Sequence, residues 1–464
     1  MKQATSKLAC ALVLLGAIIL TGCGTKNSGV ADNGDTTSQT SCATPSGNVP
    51  CRTTTHLLHR SLVSNYFNGA LDIVDATQNR VTGFAFKVGT QPTYLQPSPD
   101  GTLTLVNDTG SNTLSSFNNL QETVKATIQL GGFTESFVTT NNNKSGFAAV
   151  PNYSNGNFNV PGAIVRFNPT DGTLNTAIPF PHVRILALDP AEKHLLAFTD
   201  ADDDAHWVDL TTLDPGTQLP VVSVLSITGL TVPLSRPMAA FFSDSEHAFI
   251  LSCGAECGGS QASVTEIDVT NAAAPFVVNQ WLVNGARIGL IDLTADKLYV
   301  AGSMTTLFSN DCPFADLGTP ACSGNLGGNN VQDGWFTVID LTAGTASTPL
   351  RIGNGVKRWI RNINGTFWVA SLHCGVENCV TLVNSTATSA SLTNRICVDS
   401  SHGNVESCGS ATGVSLAAIK GDSTDDVYTI EGGELFIYDQ QGIPVKSEFT
   451  TDIRGEASDV SYIN

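Results

Sequence analysis

The strongest constraint on the fold is a unit of four short strands that recurs eight times between residues 56 and 464. Each unit opens with an apolar strand, passes through a variable loop to a second strand ending in Asp or Asn, and closes with two further strands and a polar turn. The first unit reads LVSNY, ALDIVDA, VTGFAFKVG and PTYLQ, followed by the turn Ser98–Gly101. No stretch shows the 3.6-residue apolar period of a helix over ten residues. Such repeats are typical of β-propeller blades.

The other units indicate how the ring closes. Their first strands begin at Leu103, Gly146, Leu195, Ala248, Leu298, Phe367 and Val427. We therefore predict an all-β single propeller of about eight four-stranded blades, with seven as the alternative. The C-terminal SDVSYIN should supply the innermost strand of the blade that HRSLVSN begins. Strands from both termini would then close the ring and leave no open edge.

The first unit also resembles the YVTN-type repeat of bacterial surface propellers and lactonase-like propellers. The resemblance is carried by Val63–Asn65, Ile73–Asp75, Val88 with Gly89, Pro92 and Ser98–Gly101. Later units keep the strand, Asp and turn but lose the Val-Gly-x-x-Pro segment. The resemblance implies the fold, whereas many unrelated functions occur on this architecture.

The N-terminus has the pattern of an export signal. Lys2 and Lys7 precede an apolar stretch, Leu8–Leu20, that is shorter than the ~20 residues of a membrane span. Leu20–Cys23 resembles the lipobox of bacterial lipoproteins, which implies cleavage after residue 22 and acylation of Cys23. Gly24 favours the outer membrane by analogy with Gram-negative sorting; a plain secretory signal with an incidental cysteine is the alternative. We expect a signal peptide over 1–22, a flexible tether over 23–55 and the propeller over 56–464.

Charge limits the partners of the mature chain. Without Lys2 and Lys7 it has 21 basic residues against 41 acidic ones, a net charge of −20. Such a field repels nucleic acid and anionic membrane surfaces. We expect a monomer that is attached to the membrane through its N-terminal lipid. An envelope protein or an anionic small molecule would be its partner, and nucleic acid would not.

Ten cysteines remain after Cys10 is removed and Cys23 is lipidated. An even number in an exported protein predicts disulfides, and sequence proximity suggests five local pairs. The alternative, a metal site, lacks support because none of the pairs has Cys-x-x-Cys spacing. The predicted pairs are Cys42–Cys51, Cys253–Cys257, Cys312–Cys322, Cys374–Cys379 and Cys397–Cys408.

Strand alternation places the longer loops on one end of the propeller, here called the long-loop face. It carries the loops between the second and third strand of each blade and the links between blades. The opposite end, the short-turn face, carries minimal turns such as SPDG and LTADK. Long braced loops on a rigid scaffold are usual binding sites, although stapling against proteolysis is an alternative reason for them. The long loops on this face comprise residues 152–161, 200–205, 252–263, 303–334, 372–379 and 397–413.

A row of basic residues is expected at the mouth of the channel on that face. Aligning the first residues of the innermost strands superimposes Gln91, Arg184, Arg236, Arg287 and Arg358. Guanidinium groups there would hold a carboxylate or phosphate. Alternatively, each arginine pairs with an aspartate on the adjacent blade and ties the ring together.

Two further features of this face carry weaker predictions. Asp200, Asp202, Asp203 and Asp204 are spaced closely enough to be calcium ligands, but the sequence lacks the glycine and closing glutamate of an EF-hand loop, so a solvated acidic loop is the alternative. No cofactor is otherwise evident. His182, two residues before Arg184, is the best candidate for a general base.

These features favour a lipid-anchored binding or scaffold protein that uses its long-loop face, over an enzyme. A lactonase- or esterase-type hydrolase acting on an anionic small molecule is the second hypothesis, with His182 as its base. The third is an outer-membrane assembly scaffold or a quinoprotein-like propeller, although the Trp-containing docking motif of those families is missing. No G-x-S-x-G, H-E-x-x-H or P-loop motif occurs.

Overall fold

A computed structural model describes most of the propeller region, whereas the predicted signal peptide and most of the predicted tether lie outside the described residues. The described residues are 41–44, 47–50, 55, 57, 59–154, 159–306, 331–353, 356–372, 378–385, 390–398, 426–431, 433–440, 450–451, 453 and 455–463.

The described chain is built from β-strands with a single 3-10 turn, Gly254–Cys257. Within these residues no helix has the length and apolar character to cross a membrane. In chain order the strands are β1 (Ser41–Thr44), β2 (Gly47–Pro50), β3 (Arg60–Asn65), β4 (Ala70–Asp75), β5 (Arg80–Lys87), β6 (Pro92–Pro97), β7 (Leu103–Asp108), β8 (Thr113–Asn118), β9 (Thr123–Gln129), β10 (Ser136–Thr139), β11 (Gly146–Val150), β12 (Tyr153–Ser154), β13 (Asn159–Val160), β14 (Ala163–Phe167), β15 (Leu174–Pro179), β16 (Val183–Leu188), β17 (His194–Thr199), β18 (His206–Leu213), β19 (Pro220–Val224), β20 (Pro237–Phe242), β21 (His247–Ser252), β22 (Ser263–Asp268), β23 (Phe276–Leu282), β24 (Ile288–Asp292), β25 (Lys297–Thr306), β26 (Val331–Asp340), β27 (Thr345–Ala346), β28 (Leu350–Ile352), β29 (Val356–Ile363), β30 (Thr366–Leu372), β31 (Asn378–Ser385), β32 (Ala390–Val398), β33 (Val427–Glu431), β34 (Glu434–Tyr438), β35 (Thr450–Thr451) and β36 (Ala457–Tyr462).

These strands form antiparallel sheets arranged as the blades of one propeller. Blade 1 has the order β36-β3-β4-β5, blade 2 is β6 to β9, and blade 3 is β10-β11-β14-β15. Blades 4 and 5 are β16 to β19 and β20 to β23. Blade 6 contains β24-β25-β26, with β27 and β28 both paired to β26, and blade 7 is β29 to β32. The predicted single all-β propeller is therefore confirmed.

Seven blades have at least four strands among the described residues, which matches the alternative count of seven. A further sheet of three strands, β33-β34-β35, lies between blade 7 and blade 1. Its position follows from two apolar clusters: Phe436 packs with Trp368 of blade 7, and Tyr428 packs with Val63 of blade 1. The three strands occupy the place of the eighth predicted unit.

The core consists of apolar layers between neighbouring blades. Between blades 1 and 2, for example, Leu62 and Ile73 pack against Leu95 and Val106. The second strand of a blade is covered on both faces, so all six residues of β3 are buried. This explains why these strands read as nearly continuous apolar runs in the sequence.

The two ends of the described propeller meet in blade 1. The innermost strand β36 pairs with β3, with Val460 opposite Val63 and Tyr462 opposite Ser61. Closure by strands from both termini was predicted and is confirmed. Residues just before β3 lie on the short-turn face, because the Thr55 amide donates to Glu122 Oε2 at 2.6 Å and Glu122 lies in the turn between β8 and β9.

Candidate functional site

The long-loop face is the candidate site because its loops carry most of the polar groups that the repeat itself does not require. In the loop 252–263 the structure contains a disulfide between Cys253 and Cys257, with Sγ atoms 2.05 Å apart. Cys51, Cys312, Cys322, Cys374 and Cys408 lie outside the described residues. For Cys42, Cys379 and Cys397 the backbone alone is described; its register places Cys379 opposite Cys397 on β31 and β32.

The mouth of the channel has a regular backbone. Gln91, His182 and Arg236 each adopt the left-handed conformation, with φ of 53°, 53° and 55°, at the entry to their innermost strands. One residue further along, a β-bulge begins, and Arg184 and Arg358 occupy the extra, bulged position in blades 4 and 7. The predicted alignment was therefore wrong in part: Gln91 and Arg236 share a position with His182, two residues before the position of Arg184.

Arg184 crosses the junction between blades 3 and 4. Its Nε donates to Glu135 Oε2 at 2.6 Å and a second bond from Nη2 makes the pair bidentate. Nη1 donates to Asp200 Oδ2 at 2.6 Å. The hydrogen bond to Glu135 is the main factor that raises the pKa of Arg184, so this guanidinium remains charged and paired.

Arg236 crosses the next junction, between blades 4 and 5. Its backbone N–H donates to Asp203 Oδ1 at 3.0 Å, and its Nε lies 3.8 Å from the same oxygen. Its Nη1 donates to the carbonyl oxygen of Asp200 at 3.1 Å. The loop of blade 4 is thus tied to the entry of blade 5 through both backbone and side chain.

Arg287 crosses the junction between blades 5 and 6. Its Nη1 lies 3.8 Å from Glu256 Oε1 and 3.4 Å from the Sγ atom of Cys257. Three successive arginines therefore each contact an acid supplied by the preceding blade. This is the arrangement expected of ring staples, and a free anion would have to compete with these carboxylates.

The remaining predicted mouth residues lack such pairs. Arg358 is exposed, and within the described residues it forms no ion pair. Gln91 is exposed as well, and its carbonyl oxygen accepts hydrogen bonds from the backbone N–H and the hydroxyl of Thr109.

The four aspartates proposed as calcium ligands point to different partners. Asp200 binds Arg184, and Asp203 binds Arg236. Asp202 Oδ1 lies 3.1 Å from His206 Nε2 and accepts the Asp204 amide at 3.1 Å. In the part of the chain that the structure describes, no group of three or more His, Cys, Asp or Glu side chains could hold a metal ion.

His182 is exposed at the mouth, and its backbone is fixed on both sides. Its N–H donates to the carbonyl oxygen of Pro161, and its own carbonyl oxygen accepts the Asp200 amide at 3.2 Å. Among the described residues its ring has no hydrogen-bond partner. The imidazole is available to a ligand, but it is not oriented as the base of a catalytic dyad would be.

Sequence reasoning missed the carboxylates that complete this face. Glu135, Glu256 and Glu122 were not identified, although the first two bind mouth arginines and the third holds the N-terminal segment. Glu135 directly precedes β10, at the entry of an innermost strand. A search of the sequence for acidic residues at the entry of the blade that precedes each arginine would have found Glu135.

Comparisons with known proteins support the fold. No protein family and no curated protein matches this chain. Among solved structures, the dihydro-heme d1 dehydrogenase NirN in complex with DHE is 12% identical with a TM-score of 0.55, over 89% of this chain and 78% of NirN. At this identity the similarity concerns the architecture alone.

Lactonase-like and other propellers also occur among the similar structures. The Pseudomonas aeruginosa periplasmic gluconolactonase PpgL is 13% identical with a TM-score of 0.47, over 88% of this chain and 99% of PpgL. BamB from Moraxella catarrhalis is 10% identical with a TM-score of 0.49, over 79% of this chain and 87% of BamB.

Proposed function

We propose that the protein is an exported propeller, anchored in the cell envelope through lipidated Cys23, that binds a protein partner with its long-loop face. The observation that carries this proposal is the pairing of Arg184, Arg236 and Arg287 with acids of the preceding blades. It makes this part of the mouth a rigid rim in which the charges of three arginines are balanced. A rigid rim with mixed charges suits a protein surface better than a small anion.

An exposed aromatic side chain on the same face supports a protein partner. Phe67 lies in the turn between β3 and β4, and 74% of its surface is exposed. Aromatic side chains are enriched in the core of protein interfaces. Phe67 is therefore the residue that we expect to contact the partner.

The contacts of Thr55 support an orientation of the protein in which the long-loop face points away from the membrane. The Thr55 amide and hydroxyl both bind Glu122, which also pairs with Arg60. Thr55, directly before the propeller, is thus held on the short-turn face. A lipid on Cys23 would place that face toward the membrane and leave the long-loop face accessible.

Photo-crosslinking in the native host tests this proposal with the full lipidated chain. A photo-reactive amino acid replaces Phe67 in one strain and Leu120 in another. Leu120 is a matched control because it is 78% exposed but lies on the short-turn face. We expect a discrete crosslinked protein from position 67 and none from position 120.

Crosslinks of equal yield from both positions, or none from position 67, would contradict the assignment of the face. A parallel strain with Cys23→Ala tests the anchor. Metabolic labelling with a fatty acid should be lost, and the protein should move from the membrane fraction to the soluble fraction. Unchanged labelling would show that Cys23 is not the lipidated residue.

A hydrolase of lactonase or esterase type is the second candidate, because the exposed His182 imidazole lies beside Arg184 at the mouth. If this candidate is right, a panel of lactones and esters with anionic groups will include a substrate. His182→Ala should then abolish turnover, whereas Arg184→Met should mainly raise KM. Activity that survives His182→Ala would exclude His182 as the base. The third hypothesis, an outer-membrane assembly scaffold, is one form of the partner-binding proposal.

A further inference from the structure

The disulfide in the loop 252–263 contributes little to holding that loop. It closes a ring of only five residues, and a disulfide stabilises less when the ring that it closes is shorter. The Cys253 and Gly254 amides donate to the carbonyl oxygens of Arg236 and Ser235, both at 2.9 Å. The Ser260 amide donates to Ser235 Oγ at 2.7 Å. These bonds fix both ends of the loop without the disulfide.

Glycine at 254 contributes to the same rigidity. Gly254 has φ of +66°, in the left-handed region, and a Cβ atom there would lie 2.3 Å from the Ala262 amide nitrogen. The tight packing against Ala262 therefore requires glycine at this position. The backbone hydrogen bonds and Gly254 set the conformation of this loop. The two cysteines are therefore not needed to hold it, and they have another role or none.

The two sulfur atoms differ in access. Cys253 is fully buried, whereas Cys257 is partly exposed on the long-loop face. Of the two residues, Cys257 is therefore the more accessible to a thiolate from solvent. Such asymmetry is found where one cysteine reacts and the other resolves.

A cation is placed on the accessible sulfur. Arg287 Nη1 lies 3.4 Å from Cys257 Sγ, and the Arg287 side chain is 26% exposed. Disulfide sulfur is a weak hydrogen-bond acceptor, whereas a thiolate is a strong one. Arg287 therefore stabilises the reduced, ionised state of Cys257 more than the oxidised state.

The charged groups near this guanidinium come from two elements. Glu256, in the 3-10 turn, is fully buried; its Oε2 accepts the Ser303 amide at 2.7 Å, and its Oε1 lies 3.8 Å from Arg287. Lys357, at the start of β29, is also buried and acts on Glu256. Burial raises the pKa of the Glu256 carboxyl group, which reduces its opposition to a thiolate on Cys257.

We propose that Cys253–Cys257 is a redox-active disulfide that oxidises dithiols, with Cys257 as the reacting sulfur and Arg287 as the group that stabilises its thiolate. This proposal is independent of the partner-binding proposal. It concerns a chemical activity of one loop on the same face.

The exchange proceeds in two steps. A thiolate of the external dithiol attacks Cys257 Sγ, a mixed disulfide forms, and Cys253 leaves as a thiolate that takes up a proton. The second thiolate of the reductant then attacks its partner sulfur in the mixed disulfide, and Cys257 leaves as a thiolate beside Arg287. The dithiol is oxidised to a disulfide, and Cys253 and Cys257 are left in the reduced state.

Redox titration of the folded full-length chain tests the proposal. The protein is equilibrated in glutathione buffers and alkylated, and the peptide that contains residues 253 and 257 is quantified by mass spectrometry. We expect reversible reduction without unfolding. Arg287→Met should require a buffer about tenfold more reducing, since one pKa unit of thiolate stabilisation corresponds to a factor of ten. Arg184→Met, a mouth arginine away from the disulfide, should leave the midpoint unchanged.

Two further variants keep the test decisive if Arg287→Met folds poorly. Arg287→Lys retains the positive charge and should titrate close to the unmodified chain. Glu256→Gln removes the opposing charge and should make reduction easier. In Cys253→Ser, the pH dependence of Cys257 alkylation should give a thiol pKa below the ordinary value of about 8.5.

Two results would overturn the proposal. One is a disulfide that is reduced only when circular dichroism shows unfolding, which would make it a structural staple. The other is a Cys257 thiol pKa at or above the ordinary value in Cys253→Ser, together with an unchanged midpoint in the arginine variants.

Discussion

At the scale of single residues, the clearest electrostatic feature is Asp108 at the end of β7. The side chain is fully buried; Oδ2 accepts hydrogen bonds from Ser115 at 2.6 Å and Thr113 at 3.1 Å, and Oδ1 has no partner among the described residues. Burial raises its pKa to about 6, against the opposing effect of these hydrogen bonds. The folded protein therefore favours the protonated carboxyl group.

The sign of the pH effect follows from this shift. Because the folded pKa lies above the unfolded value, the contribution of Asp108 to stability is fully present below pH ~4 and is lost as the pH rises through 6. Asp108→Asn cannot ionise. We expect the free energy of unfolding of this variant, relative to the original chain, to increase by roughly 2–3 kcal/mol from pH 4 to pH 7.5. Urea denaturation at a series of pH values measures it.

Asp100 provides the matched control with the opposite sign. Burial is the largest single influence on this carboxyl group and raises its pKa, but the hydrogen bonds from Ser98, Thr102 and Asn143 together outweigh it and lower the pKa. Its contribution is present at neutral pH and lost as the pH falls. Asp100→Asn should therefore become relatively less stable as the pH rises. The same trend in both variants would show that the pKa of Asp108 is not raised in the folded protein.

At the scale of residues, the sequence alone identified only part of the candidate site at the mouth. The arginines were identified because they occur at the beginnings of equivalent apolar strands. Their acidic partners were not, because Glu135 precedes Arg184 by 49 residues and Asp203 precedes Arg236 by 33. The spacing varies with loop length, so no fixed interval links an arginine to its partner.

At the scale of elements, burial decided which strands could be recognised. In blade 2 the second and third strands, β7 and β8, are almost entirely buried, and such strands were the ones recognised in the sequence. The outermost strand β9 alternates between exposed and partly buried residues and gives a weaker signal. The repeat could therefore be counted from the inner strands.

The error in the register of the mouth does not come from the bulges. A β-bulge adds one residue to a strand without adding a step to its partner. In blades 2, 4, 5 and 7 the innermost strand contains such a shift at the same place near its entry, so the bulge leaves these blades in register with one another. Matching arginine to arginine shifted blade 4 by two residues against blade 5, because His182 and not Arg184 is the equivalent of Arg236.

At the scale of the whole molecule, closure of the ring depends on one short strand. β36 pairs with β3 of its own blade, and Asp459 Oδ2 accepts the Leu95 amide of blade 2 at 2.6 Å. Its buried Val460 lies in the same apolar cluster as Tyr428 of the three-stranded sheet. β36 thus joins three neighbouring sheets, and its residues are separated from β3 by almost the entire chain.

This role predicts that the ring will not close without β36 and that the strand need not be covalently attached. Removing residues 455–464 should expose the edge of β3 and the apolar layer beneath it, so thermal unfolding should lose its single cooperative transition and the protein should aggregate. A synthetic peptide of residues 455–464 should restore the transition by adding the missing strand. A peptide with the same composition in scrambled order should not, because residues that β36 buries, such as Val460 and Ala457, would no longer occupy buried positions. Cooperative unfolding of the truncated chain without the peptide would show that the remaining sheets close the ring by themselves. In that case the apolar layers between blades would determine the closed architecture, and pairing of the two termini would merely follow from it.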